Sequence, residues 1–243
     1  MHRSAPRLTR ILACAAVPVM LVVAGCSSDS DSKGAPGKDT SSSAAASPEA
    51  AATPSAKAVE PAKFAKLPDA CKAITVKTIE AMVPDVKTKA GTPGKSSDIA
   101  SRGSCSWNGL EDKGVKGSNY RWLDVSLLRY DSDPVLGSGE ERAEESFDKE
   151  VAKVQATQGA TAVRTSAATG VGDRATAIGY ALKKTGEDFE YAAIVTRTEN
   201  AVITLSFNGA GYAGAPTPDP ADLMKDAVKA SKEAVAAVAA ANK

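Results

Sequence analysis

Hydrophobic and polar residues alternate from Tyr120 to Tyr130, with Leu123, Val125 and Leu127 on one side and Trp122, Asp124, Ser126, Leu128 and Tyr130 on the other. A period of two predicts a strand. Similar alternation predicts strands over Arg174 to Leu182, Phe189 to Arg197 and Ala201 to Phe207, and Ser104-Cys105-Ser106-Trp107 begins another. The second and third of these flank Thr198-Glu199-Asn200, which reads as the turn of a hairpin. Gly91 to Gly103 and Gly209-Ala210-Gly211-Tyr212 read as turn-rich loops.

Helical spacing appears three times. Ile79, Met82 and Val83 share a face within Thr75 to Val83, and Pro84 stops that helix. Ser138-Gly139-Glu140-Glu141 is a capping-box pattern that opens a stripe of Ala143, Phe147, Val151 and Val154. Asp219 caps a third helix with Pro220 at its first position, and Met224, Val228, Ser231, Val235 and Val238 form its predicted stripe. Together these elements predict an α+β domain, a mainly antiparallel sheet packed by helices, over residues 63–243.

Residues 1–25 have a different character. Arg3, Arg7 and Arg10 precede an apolar run from Ile11 to Val23, and Val23-Ala24-Gly25-Cys26 ends it with small residues and a cysteine. That is the pattern of a lipoprotein signal peptide with its lipobox, so Cys26 is the expected lipidation site. The thiol would carry a thioether-linked diacylglyceryl group, and further acylation such as palmitate would make the anchor stable. The expected location is the extracytoplasmic face of the cell membrane. An uncleaved anchor is the weaker reading, because the run falls short of the roughly 20 residues of a spanning helix and Pro18 interrupts it. Residues 26–62 are dominated by Ser, Ala and Pro, and all 11 aromatic residues follow Lys63. Such a segment has too little apolar area to offset the entropy of ordering and is expected to be a disordered tether, with a reach of roughly 30 to 36 Å.

Removing the three leader arginines would turn the formal charge of +1 into about −2. No basic block with interleaved aromatics is visible, which argues against nucleic acid as a partner. The one histidine, His2, lies in the leader, so a processed chain has no imidazole for a triad or a zinc site. No catalytic, cofactor-binding or metal-binding residue is assigned. Cys14 leaves with the leader and Cys26 carries lipid, which leaves Cys71 and Cys105 as a structural disulfide, two buried thiols or a redox pair. Gly170-Val171-Gly172-Asp173 lacks the full spacing of a nucleotide loop and reads as a turn, with Asp173 a carboxylate of undetermined role. Glu140, Glu141, Glu144 and Glu145 read as helix-capping and solvated charges. Trp107, Trp122, Tyr130 and Tyr180 are core candidates, with ligand stacking as the alternative.

Pro-Asp-Ala-Cys at 68–71, Cys-Ser-Trp at 105–107 and Gly-Val-Gly-Asp-Arg-Ala at 170–175 resemble the actinobacterial lipoprotein family of domain of unknown function 3558. The resemblance implies a Cys71–Cys105 disulfide and an exported α+β domain similar in style to extracytoplasmic sensor and Mog1/PsbP-like domains. It brings no catalytic residues. The leading functional expectation is a non-catalytic interaction or sensor module whose tether raises effective concentration for an envelope partner. The second is a small-ligand binder or carrier with a cleft between sheet and helix. The third is a carboxylate-based hydrolase of cell-wall glycans, which needs two acidic groups roughly 5 to 9.5 Å apart.

Overall fold

The computed structural model describes residues 59–243. His2, Cys14, the lipobox with Cys26, and the tether as far as residue 58 lie outside the described residues. Among the described residues no helix is long and apolar enough to cross a membrane.

Seven strands form one antiparallel sheet: β1 (Thr92–Pro93), β2 (Arg102–Asp112), β3 (Ser118–Arg129), β4 (Thr161–Ala167), β5 (Arg174–Lys184), β6 (Glu187–Thr198) and β7 (Ala201–Tyr212). Their order is β1-β2-β3-β7-β6-β5-β4, so two meanders meet where β7 pairs with β3. The connection between the meanders carries α2 (Gly139–Gln155). Two further helices, α1 (Val76–Met82) and α3 (Pro220–Ala240), flank the sheet chemistry in sequence at either end of the domain.

Both faces of the sheet are covered. On one face Leu123, Val125, Leu127, Ile194, Ile203, Leu205 and Phe207 are buried in a single cluster with residues of α1 and α3. On the other, Ile178, Val195 and Val202 are buried with Ala143 and Phe147 of α2. This explains why Phe189, Tyr191 and Val195 on β6 belong to one core while Ala201, Ile203, Leu205 and Phe207 on β7 belong to the other. A central strand with helices above and below has no solvated side, so burial runs almost unbroken from Tyr191 to Thr196.

Local chemistry sets the helix ends. Thr75 accepts the Thr78 amide at the start of α1, Ser138 and Glu141 form the full capping box of α2, and Asp219 accepts the amides of Ala221 and Asp222 ahead of α3. The stripe of α3 is rotated from its predicted position. Leu223, Ala227, Ala230, Ser231, Ala234 and Val238 are buried, whereas Met224, Val228 and Val235 are only partly so. The cause is distance: three alanines let the backbone settle close to β6 and β7, and the larger side chains move to the flanks.

Three other expectations are corrected. Gly91 to Gly103 is not wholly loop, since it contains β1 and the first residues of β2. Gly209 to Tyr212 continues β7 rather than turning; a Cβ on Gly209 would stand 2.6 Å from the Tyr120 carbonyl, and one on Gly211 2.2 Å from that of Ala215. These glycines permit close backbone approach inside and beside the sheet. Strand β4 was not anticipated, and all seven of its residues are exposed, so it presents no hydrophobic period to read.

Cys71 and Cys105 are joined as a disulfide, which ties the turn Ala70–Lys72 to β2. Asn200 fastens the same amino-terminal segment further along. Its carbonyl accepts the Phe64 amide at 2.7 Å, and its amide group donates to the carbonyls of Phe64 and Tyr130 at 2.9 and 2.8 Å. Asn242, just past α3, accepts from the amides of Ala65 and Lys66.

Candidate functional site

The alternation of β3 sends Tyr120, Trp122 and Asp124 to the face that carries α2, but the helix does not cover them. Strand register builds the surroundings. Trp122 lies opposite Asn108 on β2 and Asn208 on β7, and Asn208 in turn pairs with Tyr191, which pairs with Tyr180. One step along, Asp124 lies between Ser106 and Ser206. A row of large side chains therefore stands beside a row of short ones, and the step between them is a depression with Asp124 at its base.

The resulting groove has a volume of about 560 Å³ and is lined by Tyr120, Trp122, Asp124, Lys184, Phe189, Tyr191, Ser206, Asn208 and Tyr212. Every one of these residues is on a strand. The cleft expected between sheet and helix is thus formed on the sheet alone. Five of the 11 aromatic residues of the chain line it. Tyr120 makes edge contacts with Phe189 and Tyr212, with centroids 6.0 and 6.4 Å apart, and Tyr180 stacks behind Tyr191 at 4.7 Å. These contacts fix the rings against one another, which lowers the entropy lost when something binds to them.

Two charged groups enter the groove and behave differently. The Lys184 ammonium donates to the Tyr191 hydroxyl at 2.6 Å and lies 5.1 Å from the Tyr191 ring centre and 6.0 Å from that of Phe189. Together these distances place it at the hydroxyl end of Tyr191, near the edge of the ring. Asp124 is largely withdrawn from water, and this burial pushes its carboxyl up to about 6, against a smaller opposing effect of a hydrogen bond with Trp122. Burial also raises the phenols of Tyr120 and Tyr180.

The other expected site residues take structural positions. Trp107 is buried in the opposite core, where its indole donates to the Lys89 carbonyl at 3.2 Å. Tyr130 donates to Ser146 of α2 at 2.7 Å beneath the Arg142 guanidinium. Asp173 accepts the Glu199 amide at 2.6 Å and holds the β6–β7 turn. Of the acidic cluster, Glu140 and Glu144 pair with Arg197 at 3.2 and 2.7 Å, Glu144 also pairs with Arg174, and Glu145 pairs with Lys149. Glu140 and Glu144 stay exposed to solvent as expected, and their pairs with Arg174 and Arg197 also link α2 to β5 and β6. No group of three or more potential metal ligands occurs among the described residues. The roles of Phe189, Tyr191, Lys184, Ser206 and Asn208 were not singled out from the sequence; they follow from cross-strand register.

A model for the family described as "Protein of unknown function (DUF3558)" matches residues 21–188. The chain belongs to this family. The matched stretch contains Cys26, both bonded cysteines, Trp122, Asp124 and Lys184, and ends one residue before Phe189. Among solved structures the chain is similar to LpqN of Mycobacterium tuberculosis, described as involved in cell envelope biogenesis. That likeness has 17% identity and a TM-score of 0.32, and covers 59% of this chain and 82% of the other. No curated protein matches the chain.

Proposed function

We propose that the protein is a lipoprotein of the cell envelope, held at the extracytoplasmic face of the membrane by acyl chains on Cys26, that binds a small ligand in the aromatic groove without catalysing a reaction. The groove carries this reading: about 560 Å³ lies within the range of ligand sites, and rigid rings with a few polar groups are the usual lining of one. The lipobox pattern and a disulfide suited to an oxidising compartment support the location. A two-carboxylate hydrolase is not favoured, because among the described residues Asp124 is the one carboxylate lining the groove.

Native mass spectrometry of the full chain, extracted from membranes in detergent, tests the binding reading. A small molecule retained by the protein and lost from Tyr191→Ala is the expected result; equal retention by both would move binding elsewhere. Fractionation of cells carrying Cys26→Ala tests the anchor. The variant is expected to keep an unprocessed leader and lose its lipid label, whereas normal processing and labelling would sink the lipidation reading.

An interaction module is the second reading, and one observation favours it. Val135 and Leu136 project at 90% and 62% exposure from the loop before α2. Serine 132 of that loop donates to the Glu60 carbonyl, so the tip stands where the tether reaches the domain. Photocrosslinking from position 136 that captures one stoichiometric envelope protein would shift the weight to this reading.

A further inference from the structure

The groove's chemistry narrows its ligand class, resting on the reading of it as a binding site. Asp124 has short neighbours on both sides, Ser106 and Ser206, so its carboxylate is reached from the groove rather than sealed within the sheet. An ionised carboxylate offers about four acceptor positions. No basic side chain figures among the groups that act on its ionisation. Lys184, the one base lining the groove, is engaged at the Tyr191 hydroxyl and the rings of Tyr191 and Phe189. Lys184 is thus held at the hydroxyl end of Tyr191, and among the described residues no basic side chain pairs with the carboxylate of Asp124.

We propose that the groove recognises a small organic cation, a ligand bearing a substituted ammonium group that pairs with Asp124 beside the rings of Tyr120 and Trp122, away from Lys184. A ring of electron-rich faces around a carboxylate is complementary to such a group on two counts, since the faces attract the cation and the carboxylate neutralises it. A neutral hydroxylated ligand would satisfy the carboxylate's acceptors and leave its charge uncompensated in a poorly solvated place. An anion would meet Asp124 directly.

Choline is the probe, titrated into the full chain in detergent with tryptophan fluorescence as the signal, because Trp122 lines the groove while Trp107 is buried in the opposite core. The comparison compounds are choline's uncharged isostere, with a tert-butyl group replacing trimethylammonium, and glucose. Saturable binding of choline about tenfold or more tighter than the isostere is expected. Asp124→Asn should remove that preference while leaving the near-ultraviolet circular dichroism unchanged. Ser206→Lys, which places an ammonium opposite Asp124, should block choline as well. The affinity should fall as the pH drops through about 6, because Asp124 pairs with a cation only when ionised. The other titratable groups lining the groove are Lys184, Tyr120, Tyr191 and Tyr212, with Tyr180 stacked on Tyr191, and no charged residue of α2 is part of its lining.

Equal affinity for choline and the isostere, or an Asp124→Asn variant that still prefers choline, overturns the cation proposal and leaves a groove that binds through its rings. Saturable binding of glucose without choline does the same and marks a sugar site. If none of the three compounds gives a saturable signal, both the cation proposal and the groove's role in binding small ligands are rejected.

Discussion

Asp124 opposes folding wherever it is ionised. Its carboxyl is raised by burial from an ordinary value near 3.8 to about 6, so the folded chain keeps a proton that the unfolded chain releases. Stability therefore falls as pH rises between those values; the penalty is absent below the lower one and complete above the upper one. Asp124→Asn is expected to stabilise the protein by about 2 kcal/mol at about pH 7, allowing for partial access to water, and to change little at about pH 3.5. Urea melts at both pH values check this, and an equal gain at both would mean that the carboxyl is not titrating as described. A residue that reduces stability while lining a groove fits a functional role better than a structural one. The alternation around Leu123 was enough to put Asp124 on the outward face. Its withdrawal from water was not legible, because it depends on the strands beside β3, which bring Ser106 and Ser206 next to it only through register. Asn200 shows the same limit: it reads as a turn residue, yet it is buried and satisfies three backbone groups on other segments.

At the scale of elements, what could be read depended on whether a segment's stability is local. The caps of all three helices lie within four residues of sequence; those of α2 and α3 stand where the motifs put them, and Thr75 caps α1 at the first residue of the predicted segment. The seam of α3 depends on the sheet it meets: the alanines beside the predicted stripe, which allow close approach, form its centre, and the larger apolar residues Met224, Val228 and Val235 lie at its flanks. Ser231 sits on this seam, fully buried, and its hydroxyl has no hydrogen-bond partner among the described residues. A buried donor without a partner costs about 1 kcal/mol or more, and alanine is also the better helix former. Ser231→Ala is thus expected to raise stability by about 1 kcal/mol in urea melts, with ligand binding in the groove on the opposite face of the sheet unchanged. A loss of stability instead would reveal a bond made by that hydroxyl. Strand β4 marks the other limit, since an exposed edge strand has no buried face to impose a hydrophobic period.

For the whole molecule, the decisive contacts are those that fasten the amino-terminal segment across the domain. Lys63 pairs with Glu199, Phe64 is clamped by Asn200, Ala65 and Lys66 bond to Asn242, and Cys71 is bonded to Cys105. The disulfide closes a sequence separation of 34 residues, for which the chain-entropy model gives about 4 kcal/mol. The hydrogen bonds upstream of it act only in the folded state, whereas the disulfide also restricts the unfolded chain, so the two contributions are separable. Replacing both cysteines by serine is expected to lower stability by about 3 to 4 kcal/mol, with most of the loss reproduced by reducing the unaltered protein. Hydrogen exchange then distinguishes how the loss is distributed. If the amides of Phe64, Ala65 and Lys66 stay as protected as the sheet, the asparagine clamps hold the segment without the bond. If they exchange much faster while the sheet remains protected, the disulfide is what keeps this segment docked on the folded domain.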